Sequence, residues 1–244
     1  MTPAAVGIRC PDHAGRARTI KAPRIVARPT GTATATQALI GLNVLVYLIT
    51  AAQGRGIDSV FAKFVLFGPW VGRGDWWRLV TSMFLHWSLI HIAMNMLALW
   101  FIGAPVEQYL GRVRFVLLYF VSGLAGSAGA LLQAPQSPIA GASGAVFGIL
   151  GAMLILEWNV TGSFAGQAMT WIAINLVISF AIPGISWGGH VGGLIGGILV
   201  MLTFARWGRG HGAYGRLGVP GAIALVVVAA ASVALAYWKV RGYA

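Results

Sequence analysis

Long apolar segments alternate with short polar segments along most of the chain. Seven apolar segments run roughly over residues 36–52, 89–104, 114–133, 143–156, 168–182, 187–205 and 219–238. Several of them reach the ~20 residues that a membrane-spanning helix needs. The pattern predicts an all-α polytopic membrane protein with seven transmembrane helices.

Composition supports a membrane protein. The 244 residues are 58% hydrophobic and only 9% charged, whereas soluble domains have about 25% charged residues. The net charge of +12 does not indicate a nucleic-acid partner, because the basic residues lie in a tail and in short loops and not on one soluble face. The single cysteine, Cys10, excludes an internal disulfide and a cysteine-based metal site.

The polar segments divide the chain into four regions. Residues 1–35 are basic, contain four prolines and no apolar run, and are predicted to form a disordered tail. Residues 36–205 hold six helices, 206–218 form a basic loop, and 219–244 form the last helix and a short tail. With the N-terminus inside, eleven of the 17 lysines and arginines lie on the inner side. We therefore expect a cytoplasmic N-terminus, in a plasma or inner membrane.

This topology places several polar residues at one depth. The second, fourth and sixth segments all run from outside to inside. Ser143 then lies at the outer end of the fourth segment and His190 near the outer end of the sixth. His86, His91 and Asn95 lie at the outer end of the second, so a shared site on the outer side is predicted.

The fourth segment is short. Residues 143–156 are 14 residues, or roughly 21 Å of helix, against a hydrocarbon core of ~30 Å. If Glu157 marks the inner end, Ser143 begins below the outer surface, and the preceding loop, residues 133–140, dips into the membrane. Such irregular backbone is tolerated where it lines a water-filled cavity. A wet pocket open to the outside is predicted.

Glycines at intervals of four predict which helices touch. Gly144 and Gly148 form one row on the fourth segment, and the sixth carries two rows: Gly189, Gly193, Gly197 and Gly188, Gly192, Gly196. Small residues at this spacing allow two helix backbones to approach closely in lipid. The rows could be simple packing seams, but the fourth and sixth segments packed through them would bring Ser143 and His190 together.

A serine beside a histidine favours nucleophilic hydrolysis. A neutral histidine can take the serine proton and activate the hydroxyl. None of the five carboxylates is expected to reach His190, so a dyad is predicted instead of a triad; they are Asp12, Asp58, Asp75, Glu107 and Glu157. Phe147 shares a helix face with Ser143 and either stacks on the imidazole or is a plain core residue.

The second segment supplies hydrogen-bond donors. His91 and Asn95, four residues apart on one face, and the Ser143 N–H could stabilise an oxyanion. A zinc site of His86, His91 and His190 is a weaker alternative, because the usual motif and a carboxylate ligand are missing. A third alternative is that these histidines only form hydrogen bonds with other helices and have no role in chemistry. We expect no metal and no cofactor.

The motifs resemble those of rhomboid intramembrane serine proteases. The matching stretches are His86-Trp87-Ser88-Leu89-Ile90-His91-Ile92-Ala93-Met94-Asn95, Gly141-Ala142-Ser143-Gly144 and Gly189-His190-Val191-Gly192-Gly193, with Trp77-Arg78 and Glu107 at further favoured positions. The resemblance covers about residues 36–205. It implies a rhomboid-like core of six transmembrane helices plus one C-terminal helix.

The resemblance also implies roles for individual residues. Ser143 would be the nucleophile and His190 the general base. His91, Asn95 and the Ser143 amide would form the oxyanion hole, with Gly141 and His86 supporting the site. Phe147 stands where many members have tyrosine, and Gly189 where alanine is common. The aromatic loop over residues 53–88 would lie in the membrane beside the site, although an ordinary aromatic belt fits its composition almost as well.

The predicted function is that of an intramembrane serine endopeptidase. It would cleave transmembrane or juxtamembrane segments of membrane-protein substrates through a Ser143–His190 dyad. A catalytically inactive rhomboid-like protein that binds membrane clients is the main alternative. A transporter is a weaker one, because no convincing internal repeat is visible.

Overall fold

The structure, a computed structural model, describes residues 2–4, 7–9, 32–54, 56, 58–208 and 218–243. Most of the tail predicted over residues 1–35 and of the loop predicted over residues 206–218 lies outside the described residues. Within the tail, Thr2–Ala4 (β1) pairs with Gly7–Arg9 (β2) as a two-stranded antiparallel hairpin. From residue 32 onwards, the described chain is helices and loops, with one isolated β-bridge.

All seven predicted apolar segments form helices. They are α1 Thr34–Gln53, α2 Leu89–Leu110, α3 Arg112–Gln133, α4 Ser143–Thr161, α5 Gln167–Ala181, α6 Trp187–Gly208 and α7 Val219–Val240. Six of them are long and apolar enough to cross a membrane, while α5 has 15 residues. Large apolar side chains such as Leu48, Phe101 and Val226 are exposed on their outer faces, as lipid contact requires. The prediction of an all-α multi-pass membrane protein is confirmed.

Helix α2 is interrupted by one wide turn. It comprises α-helix over Leu89–Ala98, π-helix over Leu99–Gly103 and α-helix again over Ala104–Leu110. Pro105 lies in the first turn of the last piece and has no N–H to donate to the preceding turn. A π-turn just before a proline accommodates this missing bond within an otherwise continuous helix.

Helix α4 is longer than the sequence suggested. It continues to Thr161, for 19 residues, and Glu157 lies inside it. The carboxylate of Glu157 accepts a hydrogen bond from the backbone N–H of Ala168, at the start of α5 (Oε2 to N, 3.1 Å). Glu157 therefore caps the next helix and does not mark the end of its own. The inference that a short α4 starts below the membrane surface was wrong in its premise.

Helices α3, α4 and α6 form the centre of the molecule. A Cβ added at Gly193 would overlap the carbonyl group of Gly144, and one at Gly197 that of Gly148. The predicted contact between α4 and α6 is therefore present. The second glycine row of α6 packs against α3, where a Cβ at Gly192 would meet the backbone of Ala125 and Gly129. The three backbones thus lie in direct contact.

Glu107, near the C-terminal end of α2, accepts hydrogen bonds from the first turn of α1. Its side chain is 3% exposed, and it accepts hydrogen bonds from the backbone N–H groups of Ala35 and Thr36 (2.9 and 2.7 Å) and from the Thr36 hydroxyl (2.7 Å). The first N–H groups of a helix have no acceptor within it. A carboxylate at this end also interacts favourably with the helix dipole.

The long loop between α1 and α2 is folded around Arg78. The loop contains short helices over Val60–Phe64, Gly68–Gly72, Arg78–Thr81 and Ser82–Phe84. The Arg78 guanidinium is 6% exposed and donates to the carbonyls of Ala62 and Val65 (2.8 and 3.0 Å) and to Asp75 (2.8 Å). It also lies 4.3 Å from the centre of the Trp70 ring.

This loop is joined to the segment that leads into α4. Leu66 and Ile139 exchange two backbone hydrogen bonds (3.0 and 2.8 Å), and the N–H of Gly68 donates to the carbonyl of Pro135 (2.8 Å). The N–H of Gly141 donates to the carbonyl of Ser82 (3.0 Å). The position of residues 139–142 therefore depends on the fold of the first loop.

We predict that Arg78→Ala destabilises the protein by about 1–3 kcal/mol, because the buried carbonyl of Val65 and the partly buried carbonyl of Ala62 lose their donor. Any activity that depends on Ser143 should fall with it, since the loop bonds the segment before Ser143. Thermal unfolding in detergent measures the first effect. Arg73→Ala is the matched control, because Arg73 is an exposed arginine of the same loop. Equal melting temperatures for the two variants would contradict the prediction.

Candidate active site

Ser143 and His190 lie within hydrogen-bond distance. Ser143 is the first residue of α4 and is half-buried, and His190 lies in the first turn of α6 and is 9% exposed. The distance between Nε2 of His190 and Oγ of Ser143 is 2.8 Å. A serine hydroxyl and an unprotonated imidazole nitrogen at this distance can act as the nucleophile and the base of covalent hydrolysis.

Two side chains hold the imidazole of His190. The Phe147 ring stacks on it with 4.3 Å between ring centroids and 13° between planes. On the other nitrogen, Oγ of Ser179 in α5 lies 2.6 Å from Nδ1. The ring is therefore fixed by a flat apolar surface and by hydrogen bonds at both nitrogens.

The start of α6 is fixed by α3. Gln133, the last residue of α3, accepts hydrogen bonds from the N–H of Gly188 (2.7 Å) and the hydroxyl of Ser186 (3.2 Å) through its Oε1. The Ser186 hydroxyl oxygen in turn accepts from the N–H of Gly189 (3.2 Å). These bonds satisfy N–H groups that have no acceptor inside α6, and they set the position of the turn that carries His190.

A glycine turn precedes Ser143. Gly141 has a φ angle of +140°, a backbone conformation that residues other than glycine rarely adopt. A Cβ at Gly141 would also lie 2.9 Å from Nε2 of His91 and 3.6 Å from Oγ of Ser143. A side chain at position 141 would therefore collide with the His91 ring, and the backbone of Gly141 lies close to both His91 and Ser143.

His91 reaches Gly141 from α2, and Asn95 lies one turn later in the same helix. The backbone N–H of Trp87 is 3.5 Å from Nδ1 of His91, which makes Nδ1 an acceptor and leaves the hydrogen on Nε2, the atom beside Gly141. Asn95 is 6% exposed, and its Nδ2 donates to the carbonyl of His91 (2.9 Å). The second hydrogen of this amide is not used by that bond.

His86 lies behind the site. It is 1% exposed, its ring centroid is 5.1 Å from that of His91, and its Nε2 is 3.5 Å from the N–H of Ala142. Burial, with a smaller effect of the neighbouring His91, lowers the pKa of His86 to about 3. The ring is neutral at ordinary pH, and it contacts the Gly141–Ser143 turn through the backbone N–H of Ala142. Within the described ranges, no three His, Cys, Asp or Glu side chains are grouped to hold a metal ion.

The structure brings together six of the seven residues that the sequence singled out. Ser143 and Phe147 contact His190, and His91 and His86 lie against the Gly141–Ser143 turn, while Asn95 bonds the carbonyl of His91. Sequence reasoning missed Ser179 and Gln133. Asn175 and Ser179 were visible as polar residues four apart in an apolar segment, but the search for a partner of His190 considered only carboxylates.

The carboxylates are bonded elsewhere. In the part of the chain that the structure describes, Asp75 bonds Arg78, Glu107 caps α1 and Glu157 caps α5. Asp58 is exposed in the first loop. None of these four forms a hydrogen bond with His190.

Comparison with known proteins identifies the family. A model of the rhomboid domain matches residues 73–207, more than half of the chain. Rhomboid protease GluP of Bacillus subtilis (strain 168) is 38% identical over 175 residues, which cover 68% of this chain and 34% of that protein. RHOMBOID-like proteins 1 and 2 of Arabidopsis thaliana are 39% and 40% identical over 140 and 141 residues, covering 55% and 54% of this chain and 36% and 44% of theirs. The chain spans about a third of GluP and less than half of the two plant proteins. By these matches the chain belongs to the rhomboid family.

Proposed function

We propose that this protein is an intramembrane serine endopeptidase that acts through Ser143 and His190. The observation that carries the proposal is the 2.8 Å distance between Nε2 of His190 and Oγ of Ser143. The similarity to Rhomboid protease GluP supports the same activity.

Acylation begins at the Ser143 hydroxyl. Its proton moves to Nε2 of His190 as Oγ forms a bond to the carbonyl carbon of the scissile peptide. The electron pair of the carbonyl moves onto its oxygen. When this intermediate collapses, the C–N bond breaks and the leaving nitrogen takes the proton from Nε2. The product is an acyl-enzyme on Ser143 and a released amine.

The oxyanion would be stabilised beside Gly141. The hydrogen on Nε2 of His91 borders this space, and the Ser143 N–H has no acceptor inside α4 because it is the first residue of the helix. The unused amide hydrogen of Asn95 is a third candidate donor. Donors aimed at the developing negative charge often supply the largest electrostatic contribution to acyl transfer, with about 10²–10³-fold in kcat for one donor.

Deacylation repeats these chemical steps with water as the nucleophile. His190 takes a proton from a water molecule, which attacks the acyl carbon, and Ser143 leaves with the proton returned through Nε2. Water must therefore reach Ser143, which agrees with its half-buried position at the end of α4.

The substrates would be transmembrane or juxtamembrane segments of other membrane proteins. An intact helix hides its carbonyls in hydrogen bonds, so cleavage should favour segments with helix-weakening residues. The N-terminus would be cytoplasmic, and the site would open to the outer side of a plasma or inner membrane.

A fluorophosphonate probe tests the proposal directly. We expect it to label the purified protein at Ser143, because the probe forms a stable bond with an activated serine and not with ordinary hydroxyls. Mass spectrometry of the labelled peptide identifies the residue, and His190→Ala should label at least about tenfold more slowly. A protein that folds but is not labelled would instead support the alternative of an inactive rhomboid-like protein that binds membrane clients.

A further inference from the structure

Ser179 connects His190 to the backbone of α5. Its Oγ lies 2.6 Å from Nδ1 of His190 and 2.5 Å from the carbonyl oxygen of Asn175, one turn earlier in the same helix. Ser179 is 3% exposed, and α5 otherwise buries only Ala168 and Ile172. Its hydroxyl is thus a buried polar group directed at the proposed base from the side opposite Ser143.

The two contacts of this hydroxyl decide where its hydrogen lies. A hydroxyl carries one hydrogen, and a carbonyl oxygen can only accept. The contact with Asn175 is a hydrogen bond only if Ser179 donates to it. The Ser179 oxygen must then accept from His190, which places a hydrogen on Nδ1.

The opposite arrangement is unfavourable for two reasons. If Ser179 donated to Nδ1, its oxygen would face the Asn175 carbonyl oxygen at 2.5 Å with no hydrogen between them. Nε2 would then carry the hydrogen and would donate to Ser143, so it could not accept the nucleophile's proton. The geometry therefore selects the neutral tautomer in which Nε2 is unprotonated and faces Ser143.

We propose that Ser179 is a positioning residue that holds His190 in the tautomer and orientation of a general base. The inference rests on the proposed Ser143–His190 chemistry. In this role, Ser179 does not exchange its proton: Nδ1–H donates to it throughout, while the nucleophile's proton moves to and from Nε2. The bond strengthens when the imidazole becomes charged, because a charged donor forms a stronger hydrogen bond. A serine on α5 thus takes the place that a carboxylate occupies in a catalytic triad.

Three variants test the role. Ser179→Ala removes the acceptor, and Ser179→Thr retains a hydroxyl that can also donate to the carbonyl four residues earlier. Ser232→Ala is the matched control: Ser232 is 6% exposed in α7 and donates to the carbonyl of Val228 (2.7 Å), in the same arrangement as Ser179 and Asn175. Ser232→Ala removes an equivalent bond in a helix that holds none of the site residues.

The measurements are kcat and KM on a transmembrane substrate, the rate of fluorophosphonate labelling, and thermal unfolding in detergent. We expect Ser179→Ala to lower kcat and the labelling rate by about 10–100-fold with KM within about twofold, since a lost orienting group leaves binding intact. Ser179→Thr should recover most of the loss. The melting temperature of Ser179→Ala should match that of Ser232→Ala.

Two results would overturn the role of Ser179. One is a kcat and labelling rate for Ser179→Ala equal to those of Ser232→Ala. The other is a loss of activity that follows a lower melting temperature and that Ser179→Thr does not reduce. If Ser143→Ala and His190→Ala are inactive while Ser179→Ala is fully active, only this inference fails. If Ser143→Ala is itself active, the proposed function fails.

Discussion

Replacing Ser143 or His190 by alanine is expected to abolish cleavage of a transmembrane substrate. Without Ser143 there is no oxygen to form the acyl-enzyme, and without His190 no group accepts its proton. Each single variant should lower kcat by about 10³-fold or more, and the double variant should be no worse than either, because the two residues act as one unit. The assay is cleavage of a purified model substrate in detergent and in liposomes.

The control for this pair is a variant that leaves the site untouched. Ser232→Ala removes a buried hydroxyl from α7 without contacting the site and should cleave at the wild-type rate. Both active-site variants should fold normally, since Ser143 and His190 lie at helix starts and not in the glycine contacts. Cleavage by folded Ser143→Ala at a rate near that of Ser232→Ala would eliminate the serine mechanism.

The substitution Gly193→Ala, which adds a single carbon, should lower both the stability of the fold and the rate of cleavage. The new Cβ would overlap the Gly144 carbonyl, which is backbone and cannot rotate away. Gly193→Ala should destabilise the protein by about 1–3 kcal/mol or more, as overpacking of a close interface does. Cleavage should fall by about 10²-fold, because separating α6 from α4 displaces His190 from Ser143.

Gly41→Ala provides the comparison for Gly193→Ala. Gly41 is exposed in α1, and a Cβ there would have nothing within 4 Å. The same chemical change should therefore leave both thermal unfolding in detergent and cleavage near wild type. If Gly193→Ala melts and cleaves like Gly41→Ala, the close approach of α4 and α6 is not required for the site.

The helices and the main site residues could be predicted because their signals are local. Apolar length marked all seven helices, and the glycine interval of four marked the contact of Gly144 and Gly148 with Gly193 and Gly197. The second glycine row has the same spacing, and its partner α3 carries small residues at the same interval, Ala125 and Gly129, but the sequence analysis did not pair the two. The spacing of glycines predicts that one face of a helix carries only small residues. Which helix packs against that face is determined by the folded structure.

The missed features depend on side chains that act away from their own segment. Glu157 looked like a membrane boundary because a charge ends an apolar run, yet its carboxylate satisfies the N–H of Ala168. Ser179 looked like one of many hydroxyls in an apolar helix, and its importance comes from its distance to His190. Hydrogen-bond partners of this kind are set by helix packing, which periodicity does not encode.

The cap on α1 has a consequence for biosynthesis. Thr36 is bonded by Glu107, which is 71 residues later in the chain, and the start of α6 is bonded by Gln133, 55 residues earlier than Gly188. The bonds to the first N–H groups of α1 can therefore form only after α2 has been synthesised. The residue that bonds the start of α6 is synthesised before α6 itself. The two caps thus differ in which partner the ribosome makes first.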